Sequence, residues 1–368
     1  MAMAGLAAER EATGAPVIHL EVGQPSSPAP AAVREAARRA LDHDQLGYTN
    51  APGLLSLRRA IAAHYASWYG VDVDPAQVVV TAGASAGFTL AFLACFDAGQ
   101  RVAVIEPGYP CYRNTLMALG VEPVRIAVGP EDGWAPSPEA LDATGPLDGL
   151  VVASPSNPTG TVLARERLTA LAAWCADRGV QLVSDEIYHG ITYGARAESA
   201  LAVTPDAVVV SSFSKYFSMT GWRLGWIVAH PDLMEGVERF QQNLYICAPT
   251  LSQLAAVVAF DCAEELDGHV ARYAENRRLL LDGLVDAGLT DRASADGAFY
   301  VYADVSRLTD DAGDLCRRWL EEADVAATPG IDFDLERGHS YVRFSYSGRG
   351  DDIVEGCRRL TLWVKERA

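Results

Sequence analysis

Lysine is nearly missing from this 368-residue sequence: Lys215 and Lys365 are the only two, and arginine fills almost every other basic position. Coding bias accounts for the arginine excess. It does not account for a lysine at position 215, between an apolar run and a Gly/Trp/Arg loop. A guanidinium stays protonated and cannot condense with an aldehyde, whereas a desolvated amine can. The exception at Lys215 therefore predicts an amine that reacts with a carbonyl group.

Positive charge as a whole is also scarce, since 48 acidic residues oppose 30 basic ones and the formal net charge is −18. Nucleic acids and anionic membranes are bound by clustered positive charge, so we expect neither as a partner. No apolar run is long enough for a membrane span, and Glu9, Arg10 and Glu11 interrupt the only stretch that resembles a signal peptide. A small-molecule partner is the expectation that remains.

Paired cysteines are absent from the pattern. The seven cysteines are scattered singly from Cys95 to Cys357, and no CxxC motif occurs. This spacing is unlike the disulfide frameworks of secreted domains and unlike a structural zinc site. We therefore expect a cytoplasmic protein without a metal.

Short β-branched apolar runs alternate with helical patterns through the middle of the chain, which predicts a mainly parallel sheet covered by helices. Candidate strands are centred near Val79, Val104, Val151, Leu182, Val209 and Ile227. Between two of them, one helical face carries Leu168, Leu171, Ala172 and Cys175, and Gly179 closes the helix. From about residue 264 a long Arg-rich helix, the run GAFYVYADV, a helix near Trp319 and the strand YVRFSYS predict a second, smaller α/β domain.

Two segments are suited to bind an anion. Ser212 and Ser214 precede Lys215, and Arg223 follows it in SSFSKYFSMTGWRLG. Hydroxyls and a guanidinium converge readily on a phosphate. The segment TAGAS lies between a buried strand and a helical pattern, so the backbone amides of Gly83, Ala84 and Ser85 would point out of a helix amino terminus.

Polar residues also follow two other strands. Asp185 lies at the carboxyl end of the strand VQLVSDE, where open α/β sheets bind ligands, and there a carboxylate can keep a pyridinium protonated. Taken alone, Asp185 is equally an acidic strand cap. Tyr188 could reach the ring of a cofactor that contains such a pyridinium. Asn157 could donate to a phenolate oxygen on the same ring, although an Asn before Pro is ordinarily a turn former.

Together these runs resemble the class I/II, fold-type I pyridoxal-phosphate aminotransferases, in particular the aspartate and aromatic aminotransferases. The matching motifs, in the family's order, are LEVGQPSSPAP, LGYTNAPG, VVVTAGAS, EPGYPCY, SPSNPTG, SDEIY, SFSKYFSMTGWRLG, CAPT, DGAFYVY and YVRFSYS. The resemblance implies an α/β fold with a large domain, residues 46–265, built on a mostly parallel seven-stranded sheet. A small α/β domain would combine residues 1–45 and 266–368.

The resemblance also implies roles for single residues. Lys215 would hold pyridoxal 5′-phosphate as a Schiff base and move the substrate α-proton, with Asp185 at the pyridine nitrogen. The remaining roles would be Asn157 and Tyr188 at the ring hydroxyl, Tyr109 on the ring face, Gly83, Ala84, Ser85, Ser212, Ser214 and Arg223 at the phosphate, and Arg343 with Gly23 at the substrate carboxylate. Tyr48 would reach the cofactor of a neighbouring subunit, which implies a homodimer.

The activity so implied is transfer of the amino group of an L-amino acid to a 2-oxo acid by a ping-pong mechanism. A β-eliminating C–S lyase or a cyclase would use the same lysine and acid, and an aminotransferase-like regulator would need a DNA-binding module. The run GASAG also fits the nucleophile elbow of a serine hydrolase, with Ser85 as nucleophile and His339 next in order, but no HGGG-type loop precedes it.

Substrate preference is left open by the sequence. A dicarboxylate substrate requires a second cation, for which Arg113 is a candidate that could equally face solvent. Trp68, Trp134 and Tyr302 either line an aromatic pocket or pack in the core. The segment GQPSSPAP is a candidate mobile lid.

Overall fold

The computed structural model describes residues 2–367, which form twelve α-helices and twelve β-strands. The helices are α1 (Ala2–Ala12), α2 (Ala31–His43), α3 (Leu55–Tyr69), α4 (Ala84–Cys95), α5 (Cys111–Ala118), α6 (Pro138–Asp142), α7 (Arg165–Arg178), α8 (Pro231–Leu244), α9 (Thr250–Ala256), α10 (Ala263–Asp286), α11 (Ala312–Ala323) and α12 (Gly350–Lys365). The strands are β1 (Ile18–His19), β2 (Val78–Thr81), β3 (Arg101–Glu106), β4 (Glu122–Ala127), β5 (Gly149–Ala153), β6 (Gln181–Asp185), β7 (Val208–Ser212), β8 (Gly225–Val228), β9 (Tyr300–Asp304), β10 (Val325–Ala326), β11 (Thr328–Pro329) and β12 (Tyr341–Ser345).

Seven strands form one sheet in the order β2-β8-β7-β6-β5-β3-β4. All neighbours are parallel except β8, which is antiparallel to β2 and to β7. The strands β2, β7 and β8 are buried along their whole length because both faces of the sheet are covered, as in other mainly parallel sheets. The predicted α/β fold with a mostly parallel seven-stranded sheet is confirmed.

Helices on the two faces of this sheet bury separate apolar clusters. On one face α4 contributes Phe88 and Phe92, which pack against Val210 and Ile227 of the sheet. On the other face α7 buries Leu168, Leu171, Ala172 and Cys175, and it ends at Gly179, whose φ of 65° favours glycine. The periodicity predicted for α7 is thus confirmed.

A smaller sheet in the order β11-β12-β9 is fully antiparallel, and α10, α11 and α12 lie in the same part of the chain. The amino-terminal segment joins this part, because β1 pairs with β10 and the Leu20 carbonyl accepts a hydrogen bond from the Ser345 amide. Residues 20–24 continue from there to the carboxyl-end edge of the large sheet. Within residues 2–367, every helix is too short or too polar to cross a bilayer.

Candidate active site

The carboxyl ends of β5, β6 and β7 meet at a cavity of about 250 Å³. Parallel strands place their following loops at one edge, so side chains far apart in sequence converge there. The residues that line the cavity include Gly23, Tyr109, Asn157, Asp185, Lys215 and Arg343. With Tyr188, which also lines the cavity, seven of the residues predicted as functional are therefore brought together.

Lys215 lies three residues beyond the end of β7 and is partly buried. Its Nζ donates a 2.6 Å hydrogen bond to the carbonyl of Gly23. Burial, reinforced by the positive charge of Arg343, lowers the pKa of Lys215 to about 8, against the opposing effect of Asp185. The amine thus loses its proton at a lower pH than an ordinary surface lysine, as a nucleophile or proton carrier requires.

Asp185 is the last residue of β6 and is buried. Its Oδ1 accepts a hydrogen bond from the Ile187 amide at 3.0 Å, and its Oδ2 accepts one from the Tyr112 hydroxyl. Burial raises the pKa of Asp185 to about 6, and these two donors, together with Lys215, oppose the shift. A carboxylate so placed favours a positively charged partner inside the cavity.

Arg343 enters the same cavity from β12 of the small sheet. It donates at 2.9 Å to Oδ1 of Asn157 and at 2.6 Å to the carbonyl of Glu21, while its buried Nε has no partner. The guanidinium lies 4.3 Å from the centre of the Tyr300 ring. Because the amide oxygen of Asn157 is occupied, the amide NH₂ is the end left to donate to a ligand. A buried guanidinium with an unused donor suits a carboxylate.

A second group of residues adjoins the amino terminus of α4. A methyl group on Gly83, whose φ is 84°, would overlap the guanidinium of Arg223, so the two residues are in close contact. The hydroxyls of Ser212 and Ser214 are 2.8 Å apart, and Ser214 donates its amide to the Ser212 hydroxyl. Helix dipole, backbone amides, hydroxyls and a guanidinium together make a site for an anion.

Tyr109 and Tyr188 flank the cavity. Tyr109 is half-buried, and its ring packs edge-on against Tyr112 at 5.7 Å. Tyr188 is buried, and its hydroxyl lies 2.7 Å from that of Tyr300. Tyr112 and Tyr300 also line the cavity and were not anticipated from the sequence, although each lies in a recognised motif, EPGYPCY and DGAFYVY.

Several predicted residues lie elsewhere. Tyr48 is 82% exposed and does not line this cavity. Arg113 donates to Glu106 at 3.1 Å and to the Asp332 carbonyl at 3.1 Å, with its side chain 11% exposed, so it is not free to bind a substrate. Trp134 and Tyr302 pack together with Phe333, and Trp68 packs with His64.

The geometry of a serine hydrolase is not formed. Ser85 is exposed in the first turn of α4, and no hydrogen bond links its side chain to a histidine anywhere in the described part of the chain. His339 instead pairs with the carbonyl of Glu336 at 2.9 Å. Nothing at Ser85 activates a nucleophile.

Known proteins match this chain over most of its length. The family model described as aminotransferase class I and II matches residues 15–360. Valine–pyruvate aminotransferase of Mycobacterium tuberculosis is 51% identical over 363 residues, which cover 97% of this chain and 94% of that relative. Aspartate aminotransferase of Sulfurisphaera tokodaii is 31% identical over 95% of this chain and 90% of its own length.

Solved structures match as well. An aminotransferase from Mycobacterium tuberculosis has a TM-score of 0.97 at 50% identity, over 100% of this chain and 96% of that chain. Thermus thermophilus aspartate aminotransferase with maleate has a TM-score of 0.94 at 31% identity, over 98% of this chain and 95% of that chain.

Proposed function

We propose residue roles and a substrate class for this chain, which belongs to the class I and II aminotransferase family. It is a pyridoxal 5′-phosphate-dependent enzyme that moves the amino group of an amino acid to a 2-oxo acid. Neither the family nor the relatives support the lyase, cyclase or hydrolase alternatives. The roles below are assigned from the geometry of the cavity.

The residues present fit this cofactor. An acid and an amine line one cavity, and the anion site is close enough to the amine that the charge of Arg223 contributes to the lowered pKa of Lys215. The contact of Gly83 with Arg223 leaves no room for a side chain beside the anion site. We assign the phosphate to Arg223, Ser212, Ser214 and the amides of Gly83, Ala84 and Ser85. Asp185 would hold the ring nitrogen, Asn157 and Tyr188 the ring hydroxyl, and Tyr109 the ring face. When bound, the cofactor supplies an aldehyde for amines and a protonated ring that withdraws electrons from the substrate α-carbon.

Proton transfer is assigned to Lys215. Its pKa of about 8 allows Nζ to take the proton from the substrate α-carbon and to pass it to the bound cofactor, and Nζ would move the proton in the reverse direction in the second half-reaction. Arg343 holds the substrate carboxylate by a planar pair of N–H donors, and Asn157 fixes the orientation of that guanidinium. One cavity serves the amino acid and then the oxo acid, so ping-pong kinetics follow.

The substrate class we propose is a monocarboxylic amino acid with an apolar side chain. The observation that carries this proposal is the engagement of Arg113 by Glu106 and by the Asp332 carbonyl. In residues 2–367, Lys215 and Arg343 are the only cationic side chains that line the cavity, and both have assigned roles. A second substrate carboxylate would lack a charged partner there, which costs several kcal/mol when it is buried. The name of the 51% identical relative, valine–pyruvate aminotransferase, supports the same class.

The test is a half-reaction. Purified, cofactor-loaded protein is mixed with single L-amino acids without an oxo acid, and the cofactor spectrum and released oxo acid are followed. Valine and alanine should each convert the cofactor stoichiometrically, much faster than aspartate does. Preference for aspartate would overturn the substrate class, and continuous release of pyruvate with ammonia would overturn the assignment of Lys215 to transamination.

We further propose a homodimer in which Tyr48 reaches the cofactor phosphate of the partner subunit. An exposed apolar surface supports this: Tyr48 is 82% exposed, and Ile246, which is 48% exposed, lines a surface pocket with Thr49 and Asn50. Leu46 and Ile246 adopt left-handed backbone conformations with φ of 54° and 65°, and such strain is retained where function requires it. The domain division into 46–265 and 1–45 with 266–368, and a cytoplasmic location, also remain proposals; the unpaired cysteines of the described chain favour the latter.

A further inference from the structure

Tyr300, the first residue of β9, contacts three residues of the cavity and has no role so far. Its side chain is almost fully buried, with the ring beneath the Arg343 guanidinium. Its hydroxyl lies 2.7 Å from the hydroxyl of Tyr188 and so close to Gly23 that a methyl group there would overlap it. The Gly23 carbonyl in turn accepts the hydrogen bond from Lys215.

The direction of the hydrogen bond between the two tyrosines follows from proton counting. A phenol has one hydrogen to donate and two lone pairs that accept. If Tyr188 gives its hydrogen to the ring hydroxyl of the cofactor, then Tyr300 must be the donor within the pair. A hydroxyl that accepts a hydrogen bond becomes a stronger donor, and this polarisation is largest in a series of linked hydrogen bonds that is buried.

We propose that Tyr300 is a positioning residue that acts through Tyr188: it donates to the Tyr188 hydroxyl and thereby stabilises negative charge on the cofactor ring oxygen. A more acidic ring oxygen holds less tightly the proton that it shares with Lys215 Nζ. The loaded enzyme therefore loses this proton at a lower pH than it would without Tyr300. The inference rests on the proposed role of Tyr188.

The experiment is a pH titration of the visible cofactor spectrum of the loaded protein, without substrate. In Tyr300→Phe the spectral transition should move to higher pH by about half a unit, since one hydrogen bond in a buried chain is lost. Tyr302→Phe is the matched control. It removes a buried hydroxyl from the same strand and face, two residues away, that is not bonded to Tyr188.

Tyr188→Phe tests the role of Tyr188 separately from the role of Tyr300. A larger upward shift in Tyr188→Phe is expected, with no additional shift when Tyr300→Phe is combined with it. If Tyr188→Phe leaves the transition in place, the proposed role of Tyr188 fails. If Tyr188→Phe shifts it but Tyr300→Phe behaves like Tyr302→Phe, or if the two shifts add, the role of Tyr300 is overturned while that of Tyr188 stands.

A second variant covers the case in which Tyr300→Phe does not load the cofactor. Gly23→Ala displaces the Tyr300 hydroxyl by steric overlap and should raise the transition pH in the native background but not in Tyr188→Phe. A shift of equal size in both backgrounds, or no shift in either, would contradict the inference.

Discussion

Arg343 and Asn157 are 186 positions apart, yet the Arg343 guanidinium donates a 2.9 Å hydrogen bond to the Asn157 amide oxygen. The contact joins the small sheet to the loop after β5 of the large sheet. It fixes the guanidinium beside Lys215. The second amino group of Arg343 donates to the Glu21 carbonyl, and the buried Nε has no hydrogen-bond partner. In the proposed role of Arg343, the substrate carboxylate would therefore be bound between the two sheets rather than by one of them.

Replacing Arg343 with Gln should mainly weaken substrate binding. Loss of a charge-assisted pair of donors costs about 2 to 4 kcal/mol, which corresponds to a decrease of roughly 30- to 1,000-fold in kcat/KM. Steady-state kinetics with an amino acid at several concentrations measure it. Arg349→Gln, at an exposed arginine, is the matched control and should behave like the native enzyme. An unchanged KM in Arg343→Gln would refute the assignment.

Replacing Lys215 with Arg should abolish turnover while the fold is kept. The guanidinium cannot exchange a proton at neutral pH, so the single-turnover rate should fall by about 10⁴-fold, the upper range for a lost acid–base group. Stopped-flow absorbance of the loaded protein gives the rate. Lys365→Arg is the control, because it alters the only other lysine. Near-native rates in Lys215→Arg would refute the whole mechanism.

Replacing Tyr112 with Phe should move the acid limb of the pH–rate profile to higher pH. The Tyr112 hydroxyl donates to Asp185 and lowers the pKa of this carboxyl, which is about 6. Without this donor, burial would raise the pKa of Asp185 further. Without that donor, the carboxyl is protonated at a higher pH and loses the charge that holds a pyridinium. The profile of kcat/KM between about pH 5 and 8 tests this. An acid limb at the native position would mean that Asp185 does not control it.

Replacing His64 with Phe should reduce the sensitivity of the fold to acid. Burial lowers the pKa of His64 to about 4 in the folded protein from 6.5, and the ring packs between Trp68 and Phe260. As the pH falls, His64 takes up a proton in the unfolded chain before it does so in the folded protein. The free energy of unfolding is therefore undiminished by His64 above pH 6.5, and it decreases as the pH falls toward 4. The decrease is at most about 3 kcal/mol.

Urea unfolding at pH 7 and at pH 4.5 measures this difference. In His64→Phe the loss of free energy of unfolding between the two values should be smaller by most of that amount. His43→Gln, at an exposed histidine, should leave the loss unchanged. An equal loss in His64→Phe and the native protein would contradict the burial argument.

Mixed dimers test whether Tyr48 acts across the interface. Lys215→Ala and Tyr48→Ala proteins should each be weakly active alone. In a hybrid dimer, the subunit with native Lys215 receives native Tyr48 from its partner, so one site of two is intact. Random exchange of subunits makes half the dimers hybrid, and about one quarter of native activity should return. No recovery on exchange would show that Tyr48 acts within its own subunit or not at all.

The sequence predicted the elements and motifs that are local. Six strands of the large sheet and α7 follow from apolar runs and helical spacing, whereas β4 was missed because it is an edge strand with mixed polarity. Asp185, Asn157 and Lys215 were anticipated because each follows a strand at the same sheet edge.

Contacts between distant segments could not be obtained in this way. The bond from Lys215 to Gly23 spans 192 positions, and the Tyr188–Tyr300 pair spans 112. The engagement of Arg113 depends on the approach of the loop at Asp332, 219 positions away. Such pairings are set by how the small sheet packs on the large one, and no spacing along the chain encodes them.

The two lysines also differ in access, since Lys215 is half-buried and lines the cavity, whereas Lys365 is exposed in the last turn of α12. After denaturation, a lysine-specific endoprotease would cut this sequence into only three fragments, residues 1–215, 216–365 and 366–368. A group joined to Lys215 by a bond that survives denaturation, such as an imine reduced beforehand with borohydride, blocks the first of these cuts. The fraction of chains that remain joined across position 215 on a gel would thus count occupied sites directly, molecule by molecule.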